Sequence, residues 1–325
     1  MNSSEIFEIR SDSAFIPIAL KTYEYQYHNI PVYREFCDLL GKHPGQVTEL
    51  SQIPFLPIEF FKSQRVGDPN QIEETVFSSS GTTGMQLSKH YVADIALYRS
   101  SFRTGFEQFY GKASEFCILA LLPSYQERPG SSLIYMVDDL IRNSKDPNSG
   151  FLSGDYHSIS RHLKACDSGP RPVILIGVSF ALLDLASEFP TRLGNTVIME
   201  TGGMKGRRKE LIREELHQLL QEAFGVAAIH SEYGMTELLS QAYSSGKGYF
   251  YTPPWMKIML RDTEDPLSYV GHEKTGGINV IDLANQHSCA FIATQDLGKT
   301  HSDGSFEVLG RFDHSDIRGC NLMAL

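Results

Sequence analysis

The residues that most invite a chemical reading lie between 76 and 92, in the run "VFSSSGTTGMQLSKHYV". Small hydroxyl residues and glycines at that density neither build a core nor favour a helix. Glycines let the backbone turn until successive N–H groups point inward, and hydroxyls add further donors. Ser79, Ser80, Gly81, Thr82, Thr83 and Gly84, followed by the cation of Lys89, therefore read as a cradle for a polyphosphate. The common P-loop is excluded, because it needs GxxxxGK[ST] opening a helix and Lys89 stands five residues past Gly84. Taken alone, the run reads equally well as a flexible surface loop.

A short strand over Thr75 to Phe77 leads into this loop, and Lys89 opens another extended segment. Beyond it the sequence predicts strands at "CILALL", "PVILIGV", "NTVIME" and "GVAAIH". Helices are expected at "SSLIYMVDDLIRN", "SFALLDLASEF" and "GRRKELIREELHQLLQEAF", the last with Leu211, Ile212, Leu216, Leu219 and Leu220 on one stripe. Continuous apolar runs alternating with helices argue for an α/β fold, its mostly parallel sheets flanked by helices.

Before this core, "PIALKTYEYQYHN" and "PVYREFCDLLG" read as helices opening on proline, the second stopping at Gly41. Val32, Phe36, Leu39 and Leu40 share a face of that second helix, and the prolines of "QIPFLPIEFFKS" mark an irregular connector. After about residue 245 the helices stop, and "GKGYFYTP", "WMKIMLRD", "GGINVIDL", "CAFIATQDLG" and "SFEVLGRFD" read as short strands. The expected organisation is a helical segment over 1–74, an α/β nucleotide-binding core over 75–245, and a smaller β-rich unit with a hinge-like tail over 246–325.

Composition narrows the partners. A formal net charge of -10 over 325 residues repels nucleic acid and anionic membranes, so an anionic ligand must be held by local positive groups. The five cysteines are odd in number and show no CxxC pair, which argues against a disulfide scaffold or zinc cluster and for a reducing cytosol. The amino terminus "MNSSEIFEIRSD" is no secretory signal, and "FCILALLP" is far shorter than the roughly 20 residues of a bilayer span. The expectation is a soluble, cytoplasmic protein.

"SSSGTTGMQLSK" resembles the phosphate loop of the adenylate-forming enzymes, the superfamily of acyl-CoA synthetases, luciferases and peptide-synthetase adenylation domains. Four further motifs of that superfamily follow in order. "ETGGMKG", with Gly202 and Gly203, resembles the glycine turn against the adenine. "SEYGMTE", with Glu232, Tyr233, Gly234, Met235, Thr236 and Glu237, matches the Tyr-Gly-x-Thr-Glu motif. "TQDLG", with Asp296, resembles the ribose-binding segment, and "LGRFDHSDIRG", with Arg311, the hinge.

The resemblance implies that a carboxylic acid is activated with Mg-ATP. There an anion attacks an anion, so reactants must be held in line and their charge neutralised. It assigns Lys89 to the β- and γ-phosphates, Thr236 to the α-phosphate or the acid, and Glu237 to a magnesium ion. Tyr233 would offer a ring to adenine, Asp296 would accept from the ribose hydroxyls, and Arg311 would reach ribose or phosphate. Each has a blander reading: Tyr233 as core, Glu237 as the first acid of a helix, Asp296 as a turn residue.

Superfamily members usually continue into a small domain that brings a catalytic lysine to the α-phosphate, whereas no lysine follows Lys299 here. In this the chain looks most like the acyl-protein synthetases, whose pattern is present as "SEYGMTE", "TGGMKGR" and "RGC". That family implies passage of a fatty acyl group to a cysteine near the carboxyl end, which would be Cys320, and then to a partner reductase or another acyl acceptor. Arg318, His314 and Arg311 are candidates for lowering that thiol's pKa; an incidental thiol on a terminus is the alternative. Lys205, followed by Arg207 and Arg208, is the candidate to supply charge in place of the missing lysine, against a solvated first helical turn. Two other functions stay open: transfer of the acyl group to coenzyme A, and a catalytically reduced nucleotide-binding partner subunit.

Overall fold

The computed structural model describes residues 5–79, 86–122, 130–202 and 211–312. In chain order its main elements are α1 (Asp12–Asn29), α2 (Pro31–Leu39), β1 (Leu56–Pro57), α3 (Phe60–Ser63), β2 (Thr75–Ser78) and β3 (Lys89–Val92). Then come α4 (Ile95–Tyr110), β4 (Cys117–Leu121), α5 (Ser132–Ser144), β5 (Gly150–Phe151), α6 (Tyr156–Asp167), β6 (Val173–Gly177) and α7 (Ser179–Glu188). β7 (Thr196–Glu200), α8 (Arg213–Phe224), β8 (Ile229–Tyr233) and β9 (Ala242–Ser244) follow, and β10 (Met256–Arg261), β11 (Thr275–Asp282), β12 (Phe291–Thr300) and β13 (Phe306–Arg311) close the chain. Two compact units result: Met1–Glu73 with Tyr91–Ala93 and Pro254–Leu325, and Glu74–His90 with Asp94–Pro253. The amino-terminal helices and the carboxyl-terminal strands, which the sequence suggested as separate segments, fall in the same unit.

The second unit holds a six-stranded sheet in the order β5-β4-β6-β7-β8-β9, parallel except for β9. Every residue of β4 and β6 is buried, which is why both read as unbroken apolar runs. Asp94, Ser131 and Asp155 cap α4, α5 and α6 by accepting from backbone N–H groups of the first turn, and Gly225 ends α8 in the left-handed conformation. α8 buries Leu216, His217, Leu220 and Phe224, while Ile212 and Leu219 of the expected stripe are exposed. β8 begins later than expected and runs on through Ser231, Glu232 and Tyr233, because both neighbouring strands supply it with hydrogen bonds.

In the first unit, β1, β12, β11 and β10 form a sheet in that order, with β13 added to β12. α1 docks onto it through the buried amide of Gln26. That amide donates to the Asn285 and Gln286 carbonyls at 2.7 and 3.0 Å and accepts from Ala290 N–H at 2.9 Å. Tyr33 stacks on Phe291 at 6.1 Å between ring centroids, with Tyr23 and Phe55 edge-on to the same ring. This aromatic cluster selects the face that α2 buries, namely Tyr33 and Cys37; Leu39, expected on the apolar face, is 82% exposed. α1 begins before Pro17, at a Ser11 cap, and contains that proline. The "QIPFLPIEFFKS" connector is partly regular, since Leu56 and Pro57 pair in parallel with Ile292 and Ala293 and α3 follows.

Candidate active site

Within the second unit, two of the sequence motifs meet at the carboxyl ends of adjacent parallel strands, where ligands of open α/β sheets bind. β7 ends at Glu200, directly before Thr201 and Gly202, and pairs Glu200 with Ser231 of β8. β8 in turn delivers Glu232 and Tyr233 into the turn of Gly234, Met235 and Thr236. Gly202 has φ +70°, a left-handed backbone suited to glycine, and a Cβ there would meet nothing within 4 Å. That leaves a bare peptide face beside the turn.

The strands flanking the hydroxyl-rich loop form a two-stranded sheet, β2 with β3. Its base is closed by Ser79 and Ser88: Ser79 N–H donates to the Ser88 carbonyl at 3.1 Å, and Ser88 N–H to Ser79 Oγ at 3.0 Å. Lys89 is exposed, and His90 beside it is fully buried. His90 Nδ1–H donates to the carbonyl of Thr236 at 2.9 Å, so the return strand of the loop is tied to the Tyr-Gly-Met-Thr-Glu turn. Beyond that turn, Ser240 Oγ meets Ser101 Oγ of α4 at 2.9 Å.

Two buried carboxyls sit in this framework with opposite electrostatics. Burial alone would raise Glu200, but its partners outweigh that and hold it down at about 2. They are His217 Nε2 at 3.6 Å, Arg213 Nε at 3.7 Å, the Ser231 hydroxyl and Gly202 N–H at 2.6 Å. The Ser179 hydroxyl adds a bond at 3.2 Å. Glu232 has no such partners among the described residues; burial, and then the charge of Glu200, push it up to about 8. One carboxyl is thus ionised and its neighbour protonated at neutral pH.

The remaining expected residues are placed as follows. Tyr233 is buried, its ring edge-on to Phe250 at 6.0 Å, and Arg213 lies over the other ring at 4.8 Å. Thr236 and Met235 are half-buried, and Glu237 is buried. A Cβ on Gly234 would meet the buried Glu232 carboxyl and force it to move. In the first unit, Asp296 of β12 stands opposite Arg311 of β13, with Oδ1 and Nε 3.5 Å apart. Asp296 is mostly buried and the Arg311 side chain is exposed, which leaves the guanidinium open to solvent. Ser80, Gly81, Thr82, Thr83, Gly84, Gly203, Lys205, Arg207, Arg208, His314, Arg318 and Cys320 lie outside the described residues.

Several contributors escaped the sequence reading: His90, Glu200, Thr201, Arg213 and His217. An acid closing an otherwise apolar strand, as in "NTVIME", is the signal that marks Glu200. Thr201 carries a buried Oγ1 without a hydrogen-bond partner among the described residues. Also among those residues, no three His, Cys, Asp or Glu side chains gather as a metal site, and no helix is long and apolar enough to cross a membrane.

No family model matches the chain. In sequence it is similar to a long-chain-fatty-acid–luciferin-component ligase of Vibrio harveyi, 24% identical over 328 residues, covering 92% of this chain and 84% of that protein. In structure it resembles a 2-hydroxyisobutyryl-CoA ligase in an open conformation with 2-HIB-AMP and CoA. The TM-score is 0.65 at 13% identity, over 93% of this chain and 70% of that one. ATP-bound MatB from Rhodopseudomonas palustris aligns with TM-score 0.56 at 17% identity, over 73% of this chain and 47% of MatB. In sequence the chain is thus similar to a fatty-acid ligase, and it shares the fold of the 2-hydroxyisobutyryl-CoA ligase and MatB structures.

Proposed function

We propose that the chain is an AMP-forming acid–thiol ligase that activates a carboxylic acid, in the first instance a fatty acid, with Mg-ATP. The acid's carboxylate oxygen attacks the α-phosphorus, the bond to pyrophosphate breaks, and an acyl-adenylate forms. A thiolate then attacks the acyl carbon, giving a thioester and releasing AMP. Cys320 is the proposed thiol, loaded for transfer to an acyl-accepting reductase or another acceptor protein, in the cytoplasm.

The observation that carries this reading is the bond from His90 to Thr236, which ties the strand behind Lys89 to the turn bearing Thr236 and Glu237. The local chemistry fits a nucleotide. Gly202 offers an open peptide face, and the Thr201 hydroxyl, without a hydrogen-bond partner among the described residues, is a polar group that a ligand can complete. Lys89 would neutralise the β- and γ-phosphates, with Ser79 to Gly84 as the cradle. Gly203, Tyr233 and Glu232 would border the base, Asp296 and Arg311 would hold ribose, and Lys205 would supply charge at the α-phosphate. A magnesium ion would be held by the buried Glu237 together with phosphate oxygens, as this ion usually is by one or two carboxylates.

Acid-dependent ATP–pyrophosphate exchange across a panel of carboxylic acids tests the first step; no exchange with any acid removes the ligase reading. Labelled acid and ATP test the second. Label on the protein that disappears in Cys320→Ser establishes self-acylation, whereas label found only on added coenzyme A moves the acceptor there. An unchanged exchange rate in Lys205→Ala excludes that lysine.

A further inference from the structure

We propose that Glu200 is a positioning residue of the ligase site: through its bond to Gly202 N–H it fixes the Thr201–Gly202 turn on which the nucleoside part of ATP rests. The inference rests on the ligase reading above.

The turn is pinned from several elements at once. Thr201 N–H donates to the Gly177 carbonyl of β6 at 3.0 Å, and Ser179 N–H donates to the Gly202 carbonyl at 3.3 Å. Gly202 N–H donates to Glu200 Oε2 at 2.6 Å. With an ionised acceptor, this is a charge-assisted bond. Glu200 Oε2 also accepts from the Ser179 hydroxyl, and Oε1 faces Arg213 and His217 of α8. One carboxylate therefore links β7, the first turn of α7, α8 and the glycine turn. It sits at the joint where the sheet hands over to the site.

A glycine with positive φ and an empty Cβ position is the most deformable point of such a turn. Peptide planes bind a flat base well only if their orientation is set before the ligand arrives, because ordering them on binding costs affinity. The carboxylate supplies that order. In this role it acts through the turn, and Arg213 and His217 of α8 are engaged with it. Charge from α8 thereby reaches the turn through Glu200.

Glu200→Gln keeps an acceptor for Gly202 N–H but loses the charge and with it the ionic contacts to α8. Loss of a charge-assisted bond is worth about 1.5–3 kcal/mol, or roughly tenfold and more in binding. The expected result is a KM for ATP raised about tenfold, with kcat and the KM for the acid within about twofold of wild type. Ser179→Ala, which removes a single donor to Glu200, should raise the KM for ATP about threefold and keep the fold. If Glu200→Gln does not fold, Ser179→Ala decides alone. Unchanged KM for ATP in the folded variants, or equal loss in all parameters, overturns the proposal. A wild type without exchange overturns the ligase reading instead, and the Kd for ATP measured by calorimetry on the same proteins then decides the role of Glu200 by the same comparison.

Discussion

His90 and Thr236, far apart in the chain, are joined by a 2.9 Å bond from an imidazole Nδ1–H to a backbone carbonyl. The bond divides labour between neighbours on β3. Lys89 is exposed, with no side-chain partner among the described residues, whereas His90 is fully buried and holds the motif turn. Lys89→Ala should therefore leave the melting temperature unchanged while slowing pyrophosphate exchange by about a hundredfold, the scale of losing one charge-stabilising group. His90→Leu strands the Thr236 carbonyl and should cost about 1–3 kcal/mol of stability as well. Thermal melts beside exchange rates check both. A destabilised Lys89→Ala, or a His90→Leu as stable as wild type, contradicts this division.

Gly234 presents a steric case. A Cβ added there would strike the Glu232 carboxyl and approach Gln241 Cγ to 3.2 Å, and both neighbours are buried. Gly234→Ala should lose about 1–3 kcal/mol by overpacking. The double change Gly234→Ala with Glu232→Ala should recover most of it, since the colliding group is gone. Urea denaturation of the single and double variants measures the recovery, and additive losses would rule the clash out.

Glu232 makes stability depend on pH with an unusual sign for a carboxyl. Its proton is held up to about pH 8 in the fold, by burial first and the charge of Glu200 second, but is released near 4.5 in the unfolded chain. The folded state binds more protons between those values, so stability is full below the lower one and declines as pH rises through the upper one. Glu232→Gln removes the decline. The variant should match wild type near pH 5 and exceed it at pH 8. Parallel melting profiles over that range would show that Glu232 is ionised in the fold.

Particular residues show why some of this was legible in the sequence and some was not. β4 and β6 were readable because burial on both faces forces an unbroken apolar run, and Lys89 was correctly read as the start of a strand. The face of α2 was misread because Tyr33 is buried by stacking on Phe291, a partner the local pattern cannot reveal. The docking of α1 is likewise invisible, since it runs through Gln26 to Asn285 and Gln286. At the site, the Tyr-Gly-Met-Thr-Glu residues were named by resemblance, but the electrostatics were not. Glu200 and Glu232 have the same side chain and near-equal burial, and the placement of Arg213, His217, Ser231 and Gly202 N–H around one of them separates an ionised acid from a neutral one.

His301 gives the opposite chemistry in the other unit. Its Nδ1 lies 2.7 Å from Glu273 and its Nε2 3.0 Å from Glu307, so both ring nitrogens donate only when the imidazole is protonated. The bond to Glu273 raises its pKa first, opposed by burial and reinforced by Glu307. A histidine held charged in the fold contributes stability fully below its ordinary value of 6.5, and that contribution is lost as pH rises through the higher folded value. The clamp spans the end of β12 and β13, the strands bearing Asp296 and Arg311, so its release should loosen that hairpin before the whole unit melts. Hydrogen exchange of the β12 and β13 amides, corrected for the intrinsic pH dependence of exchange, should show protection falling as pH rises from 6 through the raised folded value in wild type. In His301→Gln the protection should be lower at pH 6 and flat across the range. Equal protection in the two proteins at pH 6 would mean that the paired carboxylates hold nothing in place.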